Sequence, residues 1–367
     1  MRPDEKSQIE ILRVFCITAM MWVHVSPGLS SPSFVSTGDF RLVGLILGDT
    51  LGRISVSVLS FISGYLFWTS AASRPLLSTV RRRFVSVVLP MLVWSAIFIV
   101  MAESKQMVIG APSRMLLGLA PTPMAFLNGW TGVAGPTANL SLFFLRDLFV
   151  ATLILRLVAP LIRRIPLLMA LLVTVLAVLE WTAPVVFRPT ILQFMVLGAV
   201  ASERGLSITR LSRPALALPL GYGLALAGFA AMALLPAGLS EVHAVAGILR
   251  RLGIGFLALA LARAFLRLTP APWMVRLGRH SYLAYLMHVP LIAFLWAFWV
   301  RIVGGPGDAP YLAFYLAMPP LVFAIARLAG QAIDRLPALA QLLLRGKAHG
   351  PARIVPARLP LGGGGAI

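Results

Sequence analysis

The sequence predicts an all-α integral membrane protein of about ten transmembrane helices, with both termini on the cytoplasmic side. Three observations predict it. The 367 residues are 59% hydrophobic and only 12% charged, with a mean hydropathy of +0.89, whereas soluble domains carry about 25% charged residues. Apolar stretches near the ~20 residues needed to cross a bilayer recur along the chain. Basic residues crowd into alternate connecting segments, which is how membrane topology is written. A soluble enzyme and a cytosolic nucleic-acid binder are excluded. The net charge of +20 would point to nucleic acid in a soluble chain, but here it sits between apolar runs.

The first span is placed at 8–27. It lacks a small-residue cleavage site and carries Arg13 and His24, so it reads as an uncleaved span. Hydropathy windows and breakers place further spans at 50–70, 84–102, 140–160, 166–182, 187–203, 214–236, 244–266, 280–301 and 309–330. The stretch 104–139, with Pro112, Pro121, Pro123, Gly129, Gly132, Gly135 and Pro136, reads as an outer loop with a re-entrant piece. Residues 1–330 form one transmembrane domain. Residues 331–367 are a basic cytoplasmic tail, disordered at its Gly362–Gly365 end. With the N-terminus inside, 20 of the 32 Lys and Arg fall on inner segments and 5 on outer ones. The lone Cys16 rules out an intrachain disulfide.

The remaining seven basic residues are Arg13, Arg53, Arg146, Arg156, Arg250, Arg251 and Arg327. A charge at the bilayer centre costs at least ~2.5–3.5 kcal/mol. Arg156 and Arg327 lie close enough to a span end to snorkel; Arg13, Arg53, Arg146 and the Arg250/Arg251 pair are harder to dismiss. Asp147 is the one obvious intramembrane acid, so an anionic ligand or a hydrated cavity is implied.

Arg13 and His24 are 11 residues apart, which at ~100° per residue puts them about 20° from alignment and about 16 Å apart along a helix. They form one polar stripe. Either it lines a site, or Arg13 snorkels while His24 bonds a neighbouring helix. Ser63-Gly64 suits close helix packing or the approach of a ligand to backbone. Arg81-Arg82-Arg83 either grips phosphates or anchors topology. Arg146 and Asp147 point ~100° apart on a helix, so each is expected to find its own partner, Asp147 in an ion pair to another helix. His288, just before the helix-kinking Pro290, reads as a structural hydrogen bond or a site residue.

Five elements in order then carry a resemblance. Ile11-Leu-Arg13 through Trp22-Val-His24 resembles the Arg-x10-His element of the membrane acyltransferase type 3 family. Phe61-Ile-Ser-Gly-Tyr-Leu-Phe67 is similar to its second-span element, and Arg81-Arg82-Arg83 ahead of Pro90 and Trp94 to its basic third-span entry. Leu142-Phe-Phe-Leu-Arg-Asp-Leu-Phe149 and Leu277-Gly-Arg-His-Ser-Tyr-Leu-Ala-Tyr-Leu-Met-His288 resemble two more. Phe143 stands where the family usually has Trp, and Val87 where many members have Arg. The Val56-to-Tyr65 stretch looks most like the branch that acts on exopolysaccharides.

The resemblance implies an O-acyltransferase in a bacterial inner membrane. It would take acetyl-CoA or succinyl-CoA as donor and a sugar hydroxyl as acceptor, on a polysaccharide or a lipid-linked glycan. Membrane lipid and polysaccharide assembly proteins are the expected partners, nucleic acid is not one, and no metal is expected. A hydroxyl attacking a thioester needs a general base, for which His24 is the candidate. Arg13 would steer the diphosphate or position the acyl carrier. Arg81, Arg82, Arg83, Ser63 and Gly64 would bind the donor, and Arg53 and Arg146 would stabilise an oxyanion or ligand. A glycan-precursor transporter or flippase is the alternative; internal repeats typical of transporters are not visible in the sequence.

Overall fold

The computed structural model describes residues 3–25, 42–109, 122–135, 137–181, 185–236, 238–268, 272–305 and 310–348. Among these every regular element is helical. The order is α1 (Pro3–Val23), a π-helical segment Leu45–Gly52 running into α2 (Arg53–Ala71), α3 (Leu76–Arg83), π-helical Phe84–Val88, α4 (Leu89–Ile109) and α5 (Pro123–Thr131). Next come α6 (Phe143–Leu157), α7 (Ala159–Arg164), α8 (Pro166–Val178), α9 (Pro189–Glu203), α10 (Ile208–Leu211) and α11 (Pro214–Leu234). The chain closes with α12 (Ser240–Leu268), α13 (Pro272–Gly278), α14 (Ser281–Ile302), α15 (Tyr311–Ile333) and α16 (Ala338–Arg345). Proline opens α8, α9 and α11, where its missing N–H would have no helical partner.

Six helices among the described residues are long and apolar enough to cross a bilayer: Leu42–Ala71, Leu76–Ser104, α11, α12, α14 and α15. The sequence predicts ten. The other four predicted spans fall on α1, α6, α8 and α9. The last three have 15, 13 and 15 residues, about 20 Å at 1.5 Å per residue, short of a ~30 Å hydrocarbon core. α1 has 21 residues but carries Asp4, Glu5, Lys6, Glu10 and Arg13. For α1 and α9, position in the bundle accounts for the difference. α9 is packed among α2, α6 and α8, and α1 touches α2, α10 and every helix from α12 to α15. A helix wrapped in protein needs neither full lipid thickness nor an uncharged surface.

Two buried polar side chains near the start of α1 find partners, whereas Glu10 Oε2 and Trp22 Nε1 on the same helix are buried with none among the described residues. Glu5 accepts from the Tyr65 hydroxyl at 2.8 Å and from the Ile208 amide at 2.9 Å. Gln8 donates to the Leu259 carbonyl at 3.1 Å. α2 and α9 meet backbone to backbone: a β-carbon on Gly64 would enter the Met195 main chain, and one on Gly198 the Phe61 carbonyl. This is small-residue packing of the kind membrane helices use.

Two segments lie at or beyond the 330 boundary. α15 runs to Ile333, past the 330 boundary, and α16 lies within the stretch assigned to the tail. α16 is held: Trp94 Nε1 donates to the Leu344 carbonyl at 2.9 Å, and Arg345 pairs with Asp334 at 2.5 Å. The tail beyond 348, with Gly362–Gly365, lies outside the described residues, as do 110–121 of the 104–139 stretch. In the described part of that stretch, α5 packs on α4, with Trp130 Nε1 donating to the Leu92 carbonyl at 2.9 Å. The chain then returns inward through buried Thr137, Asn139 and Ser141 to α6.

Candidate active site

His24 is the first residue past α1, and its amide still bonds the Met21 carbonyl at 2.9 Å, so the helical turn carries its ring inward. There it meets His288 of α14, with ring centroids 5.2 Å apart and planes at 59°. His288 is fully buried. Its Nδ1 lies 2.5 Å from the Tyr285 carbonyl. A carbonyl only accepts, so Nδ1 carries the hydrogen and Nε2 holds the lone pair. That Nε2 is buried with no hydrogen-bond partner among the described residues. The hydrogen bond expected of His288 is therefore present, and it serves to aim a basic nitrogen.

Tyr285 links the pair to the inward loop. Its ring lies 5.6 Å from that of His288, and its hydroxyl donates to the Ser141 carbonyl. Asn139 Oδ1 accepts from the Ser141 hydroxyl at 2.8 Å. The amide nitrogen of the wholly buried Asn139 has no partner among the described residues. An unused buried donor thus sits on the segment tied to an unused buried base.

Cations surround this end of the bundle. The charges of Arg188 and Arg53 act on the His24 ring, and those of Arg250 and Arg188 on Arg251. Arg53 pairs with Asp49 at 2.9 Å. Arg188 stacks over Phe143 at 4.6 Å and Arg250 over Phe229 at 5.3 Å. Arg146 and Asp147, expected to find separate partners, pair with each other at 2.8 Å. The long Arg146 side chain folds back, also donating to the Val185 carbonyl at 2.6 Å and stacking on Phe187 at 4.0 Å. Asp147 in turn accepts from the amides of Phe187 and Arg188 at 3.3 and 2.9 Å. Arg146 is thus committed to a clamp that positions Arg188.

At the opposite end, Arg13 pairs with Glu10 at 3.0 Å, its side chain 35% exposed. Glu10 is a second acid within the first predicted span. Arg13 lies about 16 Å below His24 by helical rise, so the structure brings His24 to His288 and leaves Arg13 with Glu10 and Lys347. Burial and the Arg345 charge hold the Lys347 ammonium below its ordinary value, while Glu10 acts in the other sense. Arg81 and Arg82 are exposed and Arg83 is half-buried, over Phe67 at 5.7 Å and coupled to Tyr282. Tyr282 stands six residues before His288 on α14, about 9 Å by helical rise.

Ser63 and Gly64 are engaged within the helix bundle. Met195 occupies the Gly64 surface, and the Ser63 hydroxyl donates to the Leu59 carbonyl at 2.7 Å. Both contacts are of the packing kind, the first of the two alternatives the sequence offers. Among the described residues no group of three His, Cys, Asp or Glu side chains is placed to hold a metal. A cavity of about 290 Å³ lies away from the histidines, between α2, α8, α9 and α12.

Sequence reasoning passed over Arg188, Asn139 and Tyr285. The available signal was the Tyr285/His288 spacing, which places both on one helical face. Arg188 and Asn139 are in connecting segments and carry no periodicity.

Comparison with known proteins follows the same extent. The family described as acyltransferase domain matches residues 6–330. The succinoglycan biosynthesis protein ExoH of Rhizobium meliloti (strain 1021) is 29% identical over 375 residues, covering 96% of this chain and 95% of that protein. No solved structure matches.

Proposed function

The chain belongs to the acyltransferase domain family, and from that premise we propose that it is a membrane O-acyltransferase of exopolysaccharide biosynthesis. It moves an acetyl or succinyl group from acyl-CoA to a sugar hydroxyl. The acceptor is a polysaccharide or a lipid-linked glycan, and the enzyme sits in a bacterial inner membrane. The likeness to ExoH, whose name places it in succinoglycan biosynthesis, supports the acceptor class.

The observation that carries the reading is the His24–His288 pair, with one buried basic nitrogen unused. The acceptor hydroxyl attacks the thioester carbonyl. His24 takes the hydroxyl proton as the C–O bond forms, and the proton passes to the CoA thiolate as the C–S bond breaks. His288 is its positioning residue, its ring packed against that of His24 at 5.2 Å. The Asn139 amide is the donor to the tetrahedral oxyanion. Arg81, Arg82 and Arg83 hold the donor's phosphates, and the acyl end reaches the histidines along α14. Arg13 steers the same charges from α1.

The test is glycan mass spectrometry on wild type, a deletion strain and His24→Ala. Loss of acyl groups from otherwise intact glycan, with normal protein level, is the expected result. Retained acylation in His24→Ala overturns the role of the base, and loss of the whole glycan in the deletion strain overturns the acyltransfer reading in favour of transport.

A further inference from the structure

The cavity between α2, α8, α9 and α12 has a wall of one character and a mouth of another. Val58, Phe61, Phe194, Phe256 and Leu259 line it, and the one charged lining residue is Arg251. From Arg251 to Leu259 the groove follows α12 for about 12 Å by helical rise. It opens at the bundle surface, where Leu167 is 65% exposed. Arg251 makes no ion pair among the described residues, nor do Arg250 and Arg188, whose charges act on it. The Nε of Arg250 is buried without a hydrogen-bond partner. The nearby acids are already engaged, Asp49 by Arg53 and Asp147 by Arg146 and the 187–188 amides. Asp147 and Asp49 act on Arg188 and Arg250 without pairing with either, so three guanidiniums with no ion pair of their own, one of them lining an apolar slot, would gain from an anion.

We infer that this groove and its arginines form a binding site for a single-chain lipid phosphate, the lipid-linked form of the glycan acceptor. The aliphatic chain lies along Phe61, Phe194 and Phe256, and the phosphate sits on Arg251, Arg250 and Arg188. One slot suits one chain, whereas a two-tailed phospholipid would leave its second tail outside. Arg188 also acts on the His24 ring, so a sugar attached to that phosphate is delivered to the histidine pair. The delivery step rests on the acyltransfer reading; the binding of the lipid does not.

The experiment uses the full chain purified in detergent and farnesyl phosphate as the probe, with binding read by native mass spectrometry. Farnesol, inorganic phosphate and phosphatidylglycerol are the comparison ligands. Two variants attack the two halves of the site. Arg251→Gln removes the charge at the mouth. Gly255→Leu fills the slot; a β-carbon there meets Val58 at an ordinary 3.7 Å, so only the longer side chain intrudes. Farnesyl phosphate is expected to bind wild type and to weaken at least tenfold in each variant. Farnesol and inorganic phosphate are expected to bind at least tenfold more weakly than the probe. His24→Ala is expected to bind it unchanged, which separates failure of this site from failure of the chemistry. Equal affinity in wild type and Arg251→Gln overturns the proposal even if Gly255→Leu does not fold. Displacement by an equal concentration of phosphatidylglycerol overturns it as well, because the groove would then be ordinary lipid contact.

Discussion

His24 and His288 face each other across the interface of α1 and α14, rings 5.2 Å apart, one at the end of a helix and the other in the middle of one. Nothing local joins them. The pairing exists because α1 is a central post rather than a lipid-facing span, and because the Tyr285 carbonyl fixes the tautomer of His288.

If the two rings act as a unit, their removal is not additive. His24→Ala and His288→Ala are each expected to lower acyl transfer by about 10²-fold or more, with the double variant little worse than either alone. Transfer assayed in membrane vesicles checks this. A double variant that falls by the product of the two effects would mean independent roles.

Asn139→Ala is expected to reduce kcat by about 10²–10³-fold, the cost of one oxyanion donor, while KM for both substrates stays near wild type. A rise in KM with kcat unchanged would reassign Asn139 to substrate holding.

The membrane class of the chain was legible because composition and hydropathy report on lipid contact. The number of lipid-crossing helices is harder to read, because α9 is apolar by virtue of its protein neighbours, and a hydropathy window cannot tell Met195 packed on Gly64 from Met195 packed on lipid. His24 stood out as a polar residue in an apolar helix. Its partner His288 reads equally as a structural hydrogen bond or a site residue, since a histidine before Pro290 has the same sequence signature whether its second nitrogen is used or free. Arg146 and Asp147 misled through an ideal-helix angle: a side chain as long as arginine's bends across 100° to reach its neighbour. Asn139 and Arg188 are set by loop paths, which periodicity does not record.

The packing role of Gly64 has a direct consequence. Gly64→Leu forces a side chain into the Met195 backbone and is expected to cost about 1–3 kcal/mol or more by overpacking. The check is the fraction of protein remaining folded after graded heating in detergent. Ser63→Ala, which loses only a bond to the Leu59 carbonyl of its own helix, is expected to leave KM for acyl-CoA unchanged. A raised KM would restore Ser63 to the donor site.

Arg81, Arg82 and Arg83 have no acidic partner in an ion pair among the described residues. The triple change to Gln is expected to raise KM for acyl-CoA by about tenfold or more with kcat largely retained, as loss of charge-assisted phosphate contacts requires. The wild-type KM should rise with salt and that of the triple variant should not, because screening acts only on charges that are present. Identical salt dependence in the two proteins would return these arginines to topology alone.

Asp147 is where structure and site meet. Fully buried, it accepts from Arg146 and from the amides of Phe187 and Arg188, so one carboxylate sets both the entry to α9 and the backbone of Arg188. Asp147→Ala would leave the Arg146 guanidinium, 14% exposed, without its ion pair and two amides without their acceptor. Breaking a buried pair by removing one partner costs about 3–5 kcal/mol, and the folded yield is expected to fall accordingly. Asp147→Asn keeps one acceptor oxygen and the shape, so it should fold better than the Ala variant. It loosens Arg188 all the same, and its residual defect should appear as weaker acceptor binding, since the Arg188 charge acts both on His24 and on Arg251. An Asn variant with full stability and unaltered acceptor KM would show that Arg188 is positioned by something other than Asp147.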